Sequence, residues 1–286
     1  MSIGSIVGDI IGSRFEGSNK HPNRINFELF PIDTYFTDDS VMTIATMAAL
    51  LNAKDGVVPY AEYYRKYYRK YPYAGYGKSF SVWASSDTLE AYNSYGNGSA
   101  MRISPISFAF DTKKEVMEQA KLSAEVTHSH EEGIKGAQAI ALATFMARMG
   151  RSKKQIRDAM ENEIGYDLLN LKKGFHSDCL GSVPNAIVSF LNSESFVDAI
   201  RGAILMGGDS DTIACMAGSI AQPYYGNGLS AIPTNIIKKV FQRLPDDLAD
   251  VVVTFTNKYI DSSFIKPTNM NKKAKLYDLY RSIFKG

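Results

Sequence analysis

The stretch "FTDDSVMTIA", residues 36–45, sets two aspartates side by side at the mouth of an apolar run. Beyond them, apolar residues fall at Val41, Met42, Ile44, Ala45, Ala48 and Leu51, a helical spacing with a wide apolar face. Asp and Thr are favoured at helix N-termini because they accept hydrogen bonds from unpaired N–H groups and complement the helix dipole. A cap needs one such residue. Thr37, Asp38 and Asp39 together offer more oxygen atoms than a cap uses. Capping and metal ligation both fit this stretch taken alone.

The same chemistry recurs in "MGGDSDTIACMAGSIA", residues 206–221. Asp209, Asp211 and Thr212 precede a second helical run through Ile213, Ala214, Met216, Ala217 and Ile220, and Gly207 and Gly208 allow a tight turn just before it. The small residues Ala214, Ala217 and Gly218 permit close approach of another helix. Brought together, the two clusters supply four carboxylates and two hydroxyls around one point. Such a set repels itself unless cations neutralise it. Oxygen ligands of this kind suit hard cations, Mg²⁺ or Mn²⁺. No cysteine or histidine pairing argues for zinc. Two separate caps are the alternative.

Around these clusters most of the chain carries helical patterns. They lie near 3–12, 38–52, 59–70, 114–127, 132–149, 152–163, 184–192, 196–206, 211–222, 234–243, 246–260 and 273–284. "VVVTF" at 251–255 is the best strand candidate, but it sits inside a longer helical frame and is assigned to it. Segments such as "YPYAGYGKS" and "YNSYGNGSAMRISP" read as connectors rich in Gly, Pro, Ser and Asn. No linker divides the chain, so one all-α domain over residues 1–286 is expected. In "YAEYYRKYYRKYPYAGYG", Tyr60, Tyr63, Tyr64, Tyr67, Tyr68 and Tyr71 recur at helical spacing, opposite Arg65, Lys66, Arg69 and Lys70. A tyrosine core face with a solvated basic face is expected there, rather than a nucleic-acid surface.

Composition supports that choice. With 32 basic and 30 acidic residues the net charge is +2, which makes no electrostatic case for nucleic acid or an anionic membrane. The cysteines, Cys179 and Cys215, have neither metal-ligand spacing nor a disulfide framework, so a reducing cytoplasm is expected. The N-terminal residues have no basic n-region, so no signal peptide is expected, and no apolar run approaches the ~20 residues of a membrane span. Cys179 paired with a histidine would be a nucleophile on residue types alone, and no motif supports it.

Two further segments carry chemistry. "GDIIGSRFEG", residues 8–17, is an apolar run punctuated by Gly8, Gly12 and Gly17 and ending at Glu16, either a core helix with an exposed acid or a carrier of one more carboxylate to the centre. "SYGNGSAMRISP", residues 94–105, contains a small-residue loop whose backbone N–H groups are suited to phosphate, or a plain connector. It is neither a Walker loop nor a Rossmann turn.

Together, "GDIIGSRFEG", "TDDSVMT", "YNSYGNGSAMRISP", "EVTHSHEEGIKGAQA", "GSVPNAI" and "GGDSDTIACMAGSIA" resemble the ADP-ribosylglycohydrolase family, in family order from residue 4 to about 226. The last 60 or so residues carry little of the signal. The resemblance implies an orthogonal all-α helical bundle with two divalent cations, Mg²⁺ or Mn²⁺, at the base of an ADP-ribose cleft. It implies Thr37, Asp38, Asp39, Asp209, Asp211 and Thr212 as metal ligands, and Glu16, Asp38 and Asp39 as catalytic residues. It places Asn97, Gly98, Ser99, Met101 and His128 on the ADP-ribose pocket, while His130 is read as structural or solvent-facing. The implied reaction hydrolyses the glycosidic bond between ADP-ribose and an acceptor, by a cytoplasmic monomer with no membrane contact. Nitrogenase-type members carry an aspartate in a D-x-G loop tied to arginine-linked substrates. "YPYAGYGKS" has no acid beside Gly75 or Gly77, so serine-linked, nucleic-acid-linked and small-molecule ADP-ribose all stay open. The rival readings are a non-catalytic ADP-ribose-binding or crystallin-like structural protein, a two-metal phosphohydrolase, and a metal-free glycosidase using two carboxylates.

Overall fold

The glycines of the first helix decide how the fold begins. In the computed structural model, which describes residues 3–17, 22, 25–88, 90–226 and 230–260, helix α1 (Gly4–Gly12) is wholly buried. Gly4, Gly8 and Gly12 recur every four residues and so share one face. That face lies against α12 (Ser210–Tyr225). A Cβ added at any of the three would fall within 3.0 Å of α12 backbone atoms, at Gly218, Ala214 and Asp211 respectively. The two helices therefore run antiparallel with their backbones in contact, and the expected approach to Ala214 and Gly218 is made by α1. Gly4 N–H closes one end by donating to Gln222 Oε1 at 2.6 Å. At the other end Ser210 Oγ donates to the Gly12 carbonyl at 3.1 Å.

This antiparallel pair brings the C-terminus of α1 to the N-terminus of α12. A short 3₁₀ turn, Ser13–Phe15, then carries the chain to Glu16. Gly17 N–H donates to the Gly208 carbonyl at 3.0 Å, which holds Glu16 opposite the turn that opens α12.

Helix α2 (Asp38–Leu51) is buried from Asp39 to Leu50. It packs on α1, on α3 (Tyr60–Lys70) and on α14 (Asp246–Tyr259). The expected tyrosine face of α3 is its core face: Tyr60, Tyr63, Tyr64 and Tyr67 are buried. One residue departs from the expected basic face. Arg65 is buried, with its guanidinium 4.1 Å from the Trp83 ring and a hydrogen bond to the Thr88 carbonyl. An aromatic face and a carbonyl replace the water that a solvated arginine would keep.

Between these, α4 (Lys78–Ser85), α5 (Gly98–Met101) and α6 (Ile106–Ala109) are short helices in a stretch where no helical pattern is expected. Helix α7 (Lys113–Glu125) opens with a Thr112–Glu115 capping box. Helices α8 (Glu131–Arg148), α10 (Cys179–Leu191) and α11 (Phe196–Met206) surround α12. Helix α9 (Lys153–Ala159) runs into a π turn at Met160–Ile164, and α13 (Thr234–Phe241) lies near α1. Helix α10 begins five residues before the expected Pro184, because Asp178 accepts from Gly181 N–H at 2.8 Å and starts the helix there. "VVVTF" is helical within α14, with Val252 and Phe255 buried on one face. The helix expected at 273–284 lies outside the described residues.

Among the described residues the architecture is all-α, and backbone pairing between extended residues is limited to two isolated bridges. No helix there is long and apolar enough to cross a membrane.

Candidate active site

The N-termini of α2 and α12 and the end of α1 meet at the base of a cleft of about 550 Å³. Glu16, Thr37, Asp38, Asp39, Asp209, Asp211 and Thr212 all line it. The two acidic motifs, 170 residues apart in the chain, are thus one site, as expected. Thr212 Oγ1 donates to Asp39 Oδ2 at 3.1 Å and ties them directly.

The capping role falls elsewhere. Thr37 Oγ1 accepts from Asp39 N–H at 3.3 Å, as an N-cap should. The stronger cap comes from another helix. Asp9, fully buried on α1, accepts from Thr37 N–H at 3.0 Å, from Ser40 N–H at 3.0 Å and from Thr37 Oγ1 at 2.7 Å. The Ser40 hydroxyl also donates to it. Asp9 caps α2 in trans, and Asp38 and Asp39 are left free for other work.

Asp9 also joins the acidic cluster. Carboxylate oxygens of Asp9, Asp39 and Asp211 lie within 4.8 Å of one another, and so do those of Glu16, Asp209 and Asp211. Asp211 is common to both groups. Asp38 is half-buried beneath the 74–77 loop, with its N–H donating to the Ala74 carbonyl at 2.7 Å. Its Oδ1 would stand 3.3 Å from a Cβ at Gly75. The loop that lacks an acid of its own is therefore laid over one.

Burial governs the electrostatics. Desolvation raises Asp38, Asp39 and Asp211 well above the ordinary carboxylate range, and repulsion among neighbouring carboxylates raises them further. Desolvation raises Asp9 to about 6, against hydrogen bonds from Ser40 and Thr37 that lower it. Asp209 is raised by burial and opposed by hydrogen bonds, one of them from Asn97 Nδ2 at 2.7 Å. Asp39 Oδ1 is buried and has no hydrogen-bond partner. An unpartnered carboxylate oxygen among like charges fits a cation site. The donor set is all oxygen, which suits Mg²⁺ or Mn²⁺.

The rest of the cleft sorts the other expected residues. Asn97, Gly98, Met101 and His128 line it. Ser99 does not. It is fully buried, and its hydroxyl donates to the Gly133 carbonyl at 2.7 Å, so it fastens α5 to α8. The loop N–H groups are also partly committed: Gly96 donates to Ser94 Oγ at 3.0 Å and Asn97 to the Ser177 carbonyl at 2.9 Å. His130 caps α8, accepting from Glu132 N–H at 3.1 Å. Cys179 is buried and its thiol is pushed up to about 12, which removes it as a nucleophile.

The sequence reading passed over three groups at this site. Asp9 is one. The second is the set of side chains on the 73–80 segment, noted above only for its missing acid, of which Tyr73, Tyr76 and Lys78 line the cleft. Tyr76 stacks on Phe80 with ring centroids 5.3 Å apart, and its hydroxyl is buried without a partner. The third is Phe175, half exposed at the rim with Tyr35.

Fold and site together define an all-helical protein with a buried carboxylate centre at the foot of an open cleft. Residues 1–260 match the model of the ADP-ribosylglycohydrolase family, and the chain belongs to that family. It is 32% identical over 262 residues to human ADP-ribosylhydrolase ARH3, covering 67% of this chain and 71% of that one. The chicken ADP-ribosylhydrolase ARH3 is 29% identical over 310 residues, covering 78% and 83%. ADP-ribosylarginine hydrolase Tri1 of Pseudomonas putida is 22% identical over 289 residues, covering 87% and 76%. A solved structure titled "ADP-ribosylglycohydrolase-related protein complex" superposes with a TM-score of 0.72 at 22% identity, over 90% of this chain and 95% of that one. It shares the fold.

Proposed function

We propose that the protein is a metal-dependent hydrolase that cleaves the glycosidic bond between ADP-ribose and an acceptor and releases ADP-ribose. The observation that carries this reading is the pair of three-carboxylate groups sharing Asp211 at the cleft base, beside the unpartnered Asp39 Oδ1. Thr37, Asp38, Asp39, Asp209, Asp211 and Thr212, with Glu16 and Asp9 adjoining, would hold two divalent cations there. When bound, such cations supply Lewis acidity and neutralise the cluster.

The chain's own residues then have separable tasks. Glycoside cleavage develops positive charge on the sugar ring, and the carboxylates at the cleft base favour that charge. Glu16 is the exposed acid of the cluster, and in this reading it passes a proton between solvent and the reacting bond. Asn97 fixes Asp209 in place. The cleft wall beyond, made by Gly96, Asn97, Gly98 and Met101 with His128, binds the parts of ADP-ribose remote from the reaction, and this binding orients the ribose.

The test is release of free ADP-ribose from arginine-linked, serine-linked and DNA-linked substrates, each with Mg²⁺, with Mn²⁺ and with chelator. Metal-dependent release supports the reading and names the acceptor. Asp209→Ala is expected to abolish release with its helical circular dichroism retained. Full activity in that variant, or in chelator, removes the metal-dependent reading. Release of phosphate or AMP instead marks a phosphohydrolase.

A further inference from the structure

Arg102 is the largest fully buried side chain of the described residues, and it adjoins the cleft. Its guanidinium lies 4.2 Å from the Tyr64 ring centroid. One amino group donates to the Ser123 carbonyl at 3.0 Å and to Thr127 Oγ1 at 2.8 Å. Thr127 Oγ1 in turn stands 2.7 Å from Nδ1 of the buried His128.

We propose that Arg102 and Thr127 are positioning residues that fix His128 as a neutral ring protonated on Nε2, presenting an N–H donor to an oxygen of the ligand. The ligand half of this inference rests on the ADP-ribose reading above. The tautomer half stands on the geometry alone.

A guanidinium only donates, so Thr127 Oγ1 accepts from Arg102. The hydrogen bonds of that hydroxyl among the described residues run to Arg102 and to His128 Nδ1. Arg102 fills the donor side, so the hydroxyl's own proton has His128 Nδ1 as its acceptor. A neutral imidazole whose Nδ1 accepts carries its proton on Nε2. Burial and the nearby Arg102 charge both hold the ring neutral, well below its usual pKa.

The Nε2 edge is the one turned to the glycine loop. A Cβ at Gly96 or Gly98 would stand 3.5 or 3.3 Å from Nε2, and the absence of side chains at both positions leaves that edge accessible. The ring is braced from another side by Tyr92, with centroids 5.9 Å apart. The opposite tautomer would turn a lone pair toward the cleft and repel a phosphate or sugar oxygen.

The chain has four histidines, so two-bond ¹H–¹⁵N correlation spectra of the intact protein, with His128→Gln for assignment, read the tautomer directly. The expected pattern is a neutral ring protonated on Nε2. Thr127→Val keeps the side-chain shape and removes the hydroxyl. It is expected to shift the ring toward the Nδ1–H form and to weaken ADP-ribose binding about tenfold. Thr127→Ser is expected to restore both. A wild-type ring protonated on Nδ1 overturns the proposal, and so does Thr127→Val with tautomer and affinity unchanged. If Thr127→Val does not fold, the wild-type spectrum alone decides the tautomer, and Thr127→Ser must retain it. If wild-type protein binds no ADP-ribose, the functional reading fails, while the spectrum still judges the relay.

Discussion

Replacing Asp9 by asparagine separates the two jobs that this residue performs. As a trans cap, Asp9 receives two backbone N–H groups of α2 on Oδ2. An asparagine carbonyl placed there accepts the same bonds, and its amide group can donate to Thr37 Oγ1, which in the wild-type protein donates to Asp9 Oδ1 at 2.7 Å. The cap is therefore kept and the charge removed. In wild-type protein without metal, burial raises the Asp9 carboxyl from 3.8 to about 6. A carboxyl raised in the folded state stabilises the fold at low pH and loses that contribution as pH rises from the unfolded pKa through the folded one. The full loss is about 3 kcal/mol above roughly pH 6. Asn does not titrate and escapes it. Metal-free Asp9→Asn is thus expected to gain about 2 to 3 kcal/mol relative to wild type between pH 4 and pH 7. Urea unfolding in chelator across that range, with m-values compared, measures the difference. With saturating Mg²⁺ at pH 7 the order should reverse, because bound cations stabilise the wild-type cluster more than the neutralised one. A pH-independent difference, or a variant that loses ground as pH rises, would refute both the buried charge of Asp9 and its place in the cluster.

Two other substitutions probe the frame around the site. Gly8→Ala puts a Cβ into the α12 backbone at Ala214 and should cost at least about 3 kcal/mol, read as a fall in thermal midpoint. It should also abolish ADP-ribose release, since α1 carries Asp9 and leads to Glu16; an unchanged midpoint would mean that the two helices stand further apart. Ser99→Ala loses the bond to the Gly133 carbonyl and should cost about 1 kcal/mol of stability with KM unchanged. A raised KM with unchanged stability would return Ser99 to the substrate.

What the sequence made legible is what local spacing encodes. The apolar periods gave the long helices, and the small residues of α12 announced a close neighbour. The two acidic motifs were legible as one site because each crowds more oxygen than a cap uses. The misreadings arise where the deciding contact is distant in the chain. Asp9 looks like a single polar interruption in an apolar helix, and its partners Thr37 and Ser40 lie 28 and 31 residues away. One signal was available: a carboxylate inside a segment otherwise too apolar to be exposed must find partners. Ser99 was misplaced for a related reason. In a four-residue helix, adjacent positions face different ways, so Asn97, Gly98 and Met101 turn to the cleft while Ser99 turns to α8. Arg65 was assigned to solvent because Trp83 and Thr88, its partners, sit in segments without a strong period.

The trans cap also answers why Asp38 and Asp39 stand together at a helix mouth. An N-terminus with unpaired N–H groups carries partial positive charge, and two such ends, of α2 and α12, point at this centre. That charge and the hydrogen bonds from Thr37, Ser40, Asn97 and Thr212 offset part of the repulsion among the carboxylates. They do not offset all of it. Asp38, Asp39 and Asp211 remain raised, and Asp39 Oδ1 remains without a partner. Had the aspartates served only as caps, Asp9 would be redundant and its burial a cost without return. Because Asp9 takes the cap from a neighbouring helix, the two motif aspartates keep their oxygens turned to the cleft, where a bound cation would supply the charge that the fold leaves unbalanced.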